Sequence, residues 1–471
     1  MTSPHEYVRA HSAGFEEELN ELLRIPSVST LPAHRADMLR AARWLVDHLR
    51  HIGMEAELAE EGKTGAAREF SPGEGHPLVY AEWLGAPGRP TILGYGHYDV
   101  QPVDPLAEWI SPPFEPTVRD GNLYARGAAD DKGQILTLIK AVQAYLATKR
   151  PLPVNVKLLI EGEEETGGTT VERYVRANRA RLGADAALVL DSGMFAPEIP
   201  AITLGLRGIV TAEIEVSGAA RDLHSGRYGG AAPNPFLALA QILTGLRDAR
   251  DRVLIPGFYE RVVPPDPEER SAWSRLEFDE GEFLRDEVGS PALGGELEFP
   301  VLERIWARPT LEVHGMPGGF TGEGTKTVIP ARAAAKVSMR LVPRQDPDEI
   351  YKLFEAHVKR LQPRGTRVAV RRSGYLTPAV VMDPRSPAMT AARAAFTETF
   401  GHETVLIRAG GSIPVVTHFT GLLGLPTVVT GWTLSDSNLH SPNEKLHLGH
   451  FHRGIDAVIR FFGRFGATAD S

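Results

Sequence analysis

Apolar residues fall along this chain in two rhythms that take turns. Met38, Leu39, Ala42, Leu45, Val46 and Leu49 recur at helical spacing before Gly53, which predicts an amphipathic helix with a glycine stop. Short, nearly continuous apolar runs at 91 to 96, around Val154 to Ile160, and from Ala186 to Leu190 read as buried strands. Between the first two, Ile135, Leu138, Ile139, Val142 and Leu146 mark one face of a helix from about Gly133 to Thr148. This alternation predicts a layered α/β sheet with helices on its faces.

From Ile209 the rhythm changes. IVTAEIEV alternates as a half-buried strand, a helix follows from Pro235 to Leu246, and AAAKVSMRLV at 333 to 342 is another strand. A helix over 347 to 361 has Asp346 as its N-cap and Pro347 in its first turn, and TRVAVRR then returns as a strand. Pro256 to Pro300, rich in Pro, Glu and Asp, predicts a loop or lid extension. After Tyr375 the α/β style resumes, with helices near 387 to 400 and 449 to 463. The expected organisation is a catalytic domain (1–207 and 375–471) with a mixed sheet flanked by helices, interrupted by an inserted α+β domain (208–374). With 471 residues, two cores are the natural expectation.

Composition narrows the chemistry. A net charge of −9 offers no polybasic surface for nucleic acid or anionic lipid. No stretch reaches the roughly 18 apolar residues of a membrane span, and the N-terminal segment lacks a basic start followed by an apolar core; a cytoplasmic protein is expected. With no cysteine, disulfides, thiolate zinc sites and a cysteine nucleophile are excluded, so a transition-metal site has to use histidine and carboxylate.

Such residues gather at predicted strand ends, where open α/β sheets bind ligands. His97 and Asp99 follow the first strand, two residues apart and so on one side of it; Asp99 is placed to orient His97. Asp130 and Asp131 precede a helix, where capping is the simpler explanation. Glu161, Glu163, Glu164 and Glu165 crowd the end of another strand, an arrangement that like-charge repulsion disfavours without a cation. Asp191 closes the apolar run AALVLD, and His440 lies in the polar loop SDSNLHSPNE. Five candidate ligands, His97, Asp130, Glu165, Asp191 and His440, exceed what one ion needs and suit two ions sharing a carboxylate.

Nine ordered segments, GHYDVQP, YARGAADDKGQ, EGEEETGG, LVLDSG, RDLHSGRYGG, KTVIP, MRLVP, GGSIPV and LHSPNE, resemble the co-catalytic di-metal peptidase family of aminoacylases, glutamate carboxypeptidases and carnosinase-like nonspecific dipeptidases. RDLHSG and GGSIP are most similar to the dipeptidase branch. The resemblance implies one metal on His97 and Asp191, a second on Glu165 and His440, and Asp130 bridging. It further implies Glu164 as general base, Asp99 behind His97, and a cis peptide between Asp130 and Asp131. His224 is implied as a donor to the developing oxyanion in the partner's site, making a homodimer the working unit. Arg340, Ser412 and Gly411 are implied to hold a substrate carboxylate, with Thr327 reaching across. The expected cofactors are two divalent ions, zinc first and manganese or cobalt as alternatives; the expected substrate is a dipeptide, with metallocarboxypeptidase or N-acyl-amino-acid deacylase as the alternative. A scaffold that has lost turnover would lack the base, yet Glu164 is present. Two departures stand out: SGYLTPAV at 373 to 380 lacks a histidine that some carnosinase-like members carry, and 256 to 300 has no counterpart.

Overall fold

The computed structural model describes residues 2–59 and 75–470. The chain divides into two compact units, one of Met1–Leu204, Met382–Ile407 and Ile413–Ser471, the other of Gly205–Val381 and Arg408–Ser412. The fold is mixed α/β.

In the first unit the strands run in the order Glu55–Ala59, Leu78–Trp83, Asn155–Glu161, Thr91–His97, Ala186–Leu190, Thr427–Thr430 and Ala201–Leu206. The four from Asn155–Glu161 to Thr427–Thr430 are mutually parallel, and the flanking pairings are antiparallel. Every residue of Asn155–Glu161 and Ala186–Leu190 is buried, which explains why these strands read as unbroken apolar runs: helices cover both faces. The carboxyl ends of the parallel strands therefore share one edge, and His97 and Asp191 stand on it.

The helix Lys132–Ala147 departs from its expected amphipathic form. Gln134, Thr137 and Lys140 are buried along with its apolar residues, because the helices Pro4–Leu23 and Leu448–Gly466 pack on it from opposite sides of the chain order. The buried Lys140 ammonium is held by Glu18, with His48 and Gln143 beside it. Gly133, in the helix's first turn, has no room for a side chain: a Cβ there would lie 2.0 Å from the Ala128 carbonyl oxygen. The helix start is thus pressed against the loop that carries Asp130.

The second unit has a four-stranded antiparallel sheet in the order Thr310–Gly315, Arg332–Leu341, Gly208–Ser217, Arg367–Thr377. Alternate residues Val210, Ala212, Ile214 and Val216 enter a core with Leu239 and Ile242 of the helix Pro235–Thr244 and Phe354 and Val358 of Pro347–Arg360. Asp346 caps the latter, accepting from Glu349 N at 2.8 Å. The Pro256 to Pro300 stretch is less loop-like than its composition predicts: it holds a helix, Pro267–Ser274, whose buried Trp273 meets Trp306 edge to face. Among the described residues no helix is long and apolar enough to cross a membrane.

Candidate metal centre

Five loops of the first unit bring the ligand candidates together. His97 ends its strand, Asp191 follows the next parallel one, and Glu164 and Glu165 form a turn after Asn155–Glu161. Asp130 lies in the turn before Lys132–Ala147, and His440 comes from the polar loop ahead of Lys445–His447. Two groups result, His97 with Asp130 and Asp191, and Asp130 with Glu165 and His440; in each the ligand atoms lie within 4.8 Å of one another.

Asp130 belongs to both. Its Oδ1 is 3.0 Å from His97 Nε2, which is 4.0 Å from Asp191 Oδ1. Its Oδ2 is 3.1 Å from His440 Nε2, which is 3.3 Å from Glu165 Oε2. One carboxylate thus offers one oxygen to each group, the geometry of a bridge. The Asp130 to Asp131 peptide is cis. Capping, the simpler explanation for these aspartates, does not hold, since Asp131 makes no side-chain bond to the helix. Its Oδ2 instead accepts from the His97 backbone N at 3.0 Å.

Asp99 has a wider part than orienting His97. The His97 Nδ1 lies 3.0 Å from the Asp99 backbone oxygen and 3.4 Å from its carboxylate. That carboxylate also accepts from Ser29 Oγ at 2.7 Å, Glu165 N at 3.0 Å and Glu164 N at 3.3 Å. Fully buried, it ties the turn bearing the candidate base to the histidine ligand. Gln101 donates to Glu165 Oε2 at 2.7 Å, fixing that side chain from the other flank.

Burial and close charged neighbours set the protonation pattern of the site. Burial raises Glu164 to about 7 and Glu165 to about 8, with neighbouring carboxylates adding to both. Burial likewise lifts Asp191 well above the carboxylate range. His440 is raised to about 9, chiefly by its bond to Asp130. Burial opposes charge on His97, but its contacts with Asp130 and Asp99 prevail and hold it well above an ordinary histidine. Glu164, Glu165 and Asp191 thus favour their protonated forms beside imidazoles that favour theirs, and cation binding at these groups would release protons. The donor set fits, since each group combines one imidazole with two carboxylates, ligands that zinc, manganese and cobalt all accept.

Sequence reasoning missed Glu444, the last residue of LHSPNE. Its carboxylate is fully buried and accepts from Ala129 N and Asp130 N on one oxygen, at 2.9 and 3.0 Å. The other oxygen takes Arg126 Nη1 and Gly127 N, at 2.8 and 2.9 Å. The available signal was a lone acid ending a polar loop, which reads equally well as solvated.

The remaining candidates lie in the second unit. Arg340 Nη1 donates to Ser412 Oγ at 3.3 Å, and Gly411 beside it is exposed. His224 and Thr327 are exposed neighbours on a small two-stranded ladder, where Ser225 N donates to the Thr327 oxygen at 3.1 Å.

Residues 93–464 match the model of peptidase family M20/M25/M40. The chain belongs to this family. It is 32% identical to the Beta-Ala-His dipeptidase of Homo sapiens, over 97% of this chain and 91% of that protein. It is 29% identical to the Cys-Gly metallodipeptidase DUG1 of Saccharomyces cerevisiae, over 100% of this chain and 99% of that protein. Among solved structures, the M20 family metallo-carboxypeptidase Sso-CP2 of Sulfolobus solfataricus superposes with a TM-score of 0.83 at 31% identity, covering 96% of this chain and 99% of that one.

Proposed function

We propose that this protein is a cytoplasmic, broad-specificity dipeptidase that hydrolyses the peptide bond of dipeptides with a pair of divalent cations, zinc first and manganese or cobalt as alternatives. The observation that carries this reading is Asp130, whose two oxygens face two separate ligand groups. The full-length likeness to two proteins named as dipeptidases supports the substrate class.

In this reading His97, Asp191 and Asp130 would hold one cation, and Glu165, His440 and Asp130 the other. The chemistry that such cations would supply is a water acidified toward neutral pH. Glu164 takes the proton of that water on its carboxylate as the water oxygen attacks the scissile carbonyl, then returns it to the leaving amine. Burial, which favours the protonated form of Glu164, works against the pull that nearby cations would exert and helps it both to accept and to return the proton. Asp99 keeps the Glu164–Glu165 turn in place through its two backbone acceptances.

Arg340, with Ser412 and the backbone of Gly411, recognises the terminal carboxylate of the substrate. Its pKa is pushed down by burial, the state of a guanidinium in want of an anion. The second unit serves as lid and dimerisation surface, and His224 and Thr327 act in the partner's site, His224 donating to the developing oxyanion. Their exposure within one chain agrees with that role.

The likeness to Sso-CP2 favours a second reading, a metallocarboxypeptidase acting on longer peptides. The test is hydrolysis of Ala-Ala, of a longer peptide and of N-acetyl-alanine by metal-loaded enzyme. Preferential cleavage of Ala-Ala is expected. Faster release of the C-terminal residue from the longer peptide would establish the carboxypeptidase instead, and preference for N-acetyl-alanine a deacylase.

A further inference from the structure

We infer that Glu444 is a positioning residue that couples the bridging carboxylate to one metal site in preference to the other. The inference rests on the dinuclear reading above. Glu444 sits four residues after His440, so it anchors the loop that supplies that ligand, and its side chain binds the backbone of the turn that supplies Asp130. Ala125 N donates to its main-chain oxygen at 3.2 Å, so side chain and backbone both join the two segments.

The segments need such a tie. Asn438, His440 and Asn443 all have positive φ, at 54°, 59° and 60°, a conformation uncommon for any residue with a side chain, though least so for Asn, Asp and His. Asn443 secures the outer side of the loop by bonds to Glu108 O and Ile110 N, both at 2.8 Å. Glu444 secures the inner side. Every acceptance it makes comes from residues 125 to 130, with Arg126 supplying the countercharge that its burial demands.

The consequence differs between the two sites. Asp130, Glu165 and His440 form a site in which two of three ligands depend on this carboxylate. His97 and Asp191 stand on strand ends that Glu444 does not touch, so their site depends on it through Asp130 alone. Glu444→Gln keeps the shape but has one oxygen. Whichever way the amide turns, two donors of the 126 to 130 turn meet an NH2 group in place of an acceptor.

The test is calorimetric titration of metal-free wild type and Glu444→Gln with Zn2+, alongside thermal melting of both without metal. Wild type should bind two ions; the variant should bind one nearly as before and the other about tenfold to a hundredfold more weakly, the usual cost of removing a group that orients a ligand. Two ions bound with wild-type affinity would overturn the inference. So would equal weakening at both sites in step with a lower melting temperature, which a merely structural residue would give. Should Glu444→Gln fail to fold, Glu444→Asp, which keeps the charge but withdraws it, carries the same test; failure of both would make Glu444 a folding residue and overturn the proposal. A wild type that binds no pair of ions would sink the dinuclear reading itself, a distinct result.

Discussion

The loops around Asp130 and the ladder that carries His224 make opposite use of polar side chains. In the first region three of the five candidate ligands are held by a second group: His97 by Asp99, Glu165 by Gln101, the Asp130 turn by Glu444. In the second, His224 is exposed and, among the described residues, its ring accepts only a bond from Gly226 N, two residues away. A metal site has to be built before its ion arrives, because misplaced ligands waste binding energy on reorganisation. A donor meant for a substrate is under no such demand within its own chain. The contrast accords with the proposal that metal binding is a property of one chain and turnover a property of two.

The sharpest way to break this comparison is to remove the ions. Chelation should abolish hydrolysis by on the order of 10³-fold or more, because several kcal/mol of charge stabilisation go with the cations. Zinc, manganese or cobalt should restore it. Activity that survives exhaustive chelation, verified by metal analysis, would end the metal hypothesis. Next in size is Glu164→Gln, for which kcat should fall by about 10²- to 10⁴-fold while two ions still bind. A variant that keeps wild-type kcat would move the base elsewhere.

The parts of the molecule differ in how far the sequence exposed them. Buried parallel strands announce themselves as apolar runs, so Ala186–Leu190 could be placed from composition alone. Among the candidate ligands, Glu165 and Asp191 were legible because carboxylates at the ends of such strands are costly without a partner; Asp130 reads as simply a cap and His440 as a loop residue until the nine ordered segments are taken together. Interactions made through the backbone were not. Glu444 binds main-chain N–H groups more than 300 residues away in sequence, and every residue type carries an N–H, so no pairing of residue types marks the contact. Arg408–Ser412 escaped for a related reason: Arg408 joins the second unit by gripping Glu269 with two bonds of 2.6 Å, although the apolar pattern around it is that of the first.

The shared-site half of the comparison is sharpened by mixing. His224→Ala should lose about 10²- to 10³-fold in kcat, the scale for one oxyanion donor, and retain full metal content. Arg340→Ala should be impaired mainly in KM. Mixed in equal amounts, allowed to exchange subunits and assayed at low substrate, where both variants are impaired, the two proteins should regain roughly a quarter of the wild-type sites, since half the dimers are mixed and each rebuilds one. No recovery after exchange is verified by mass would place both residues in the same site and refute sharing.

The smallest effect is a dependence on pH, and its sign is fixed by the protons that metal binding would displace. Glu164 and Glu165 release theirs near 4.5 when unfolded but near 7 and 8 when folded without metal. Between those values the folded chain binds more protons, so stability is full below about pH 4.5 and declines as pH rises. His440, raised to about 9, acts in the same direction at higher pH. His48, lowered to about 3 by burial, and Lys132, lowered to about 7 by burial, act the other way. Neither belongs to the candidate ligand set, so neither exchanges its proton for a metal ion. Metal must displace the protons of Glu165 and His440. The rise in melting temperature on adding Zn2+ should therefore grow by several degrees from pH 5 to pH 7, as measured by paired melts across that range. A gain that is flat with pH would mean that these residues do not exchange protons for metal, and would remove His440 and Glu165 from the ligand set.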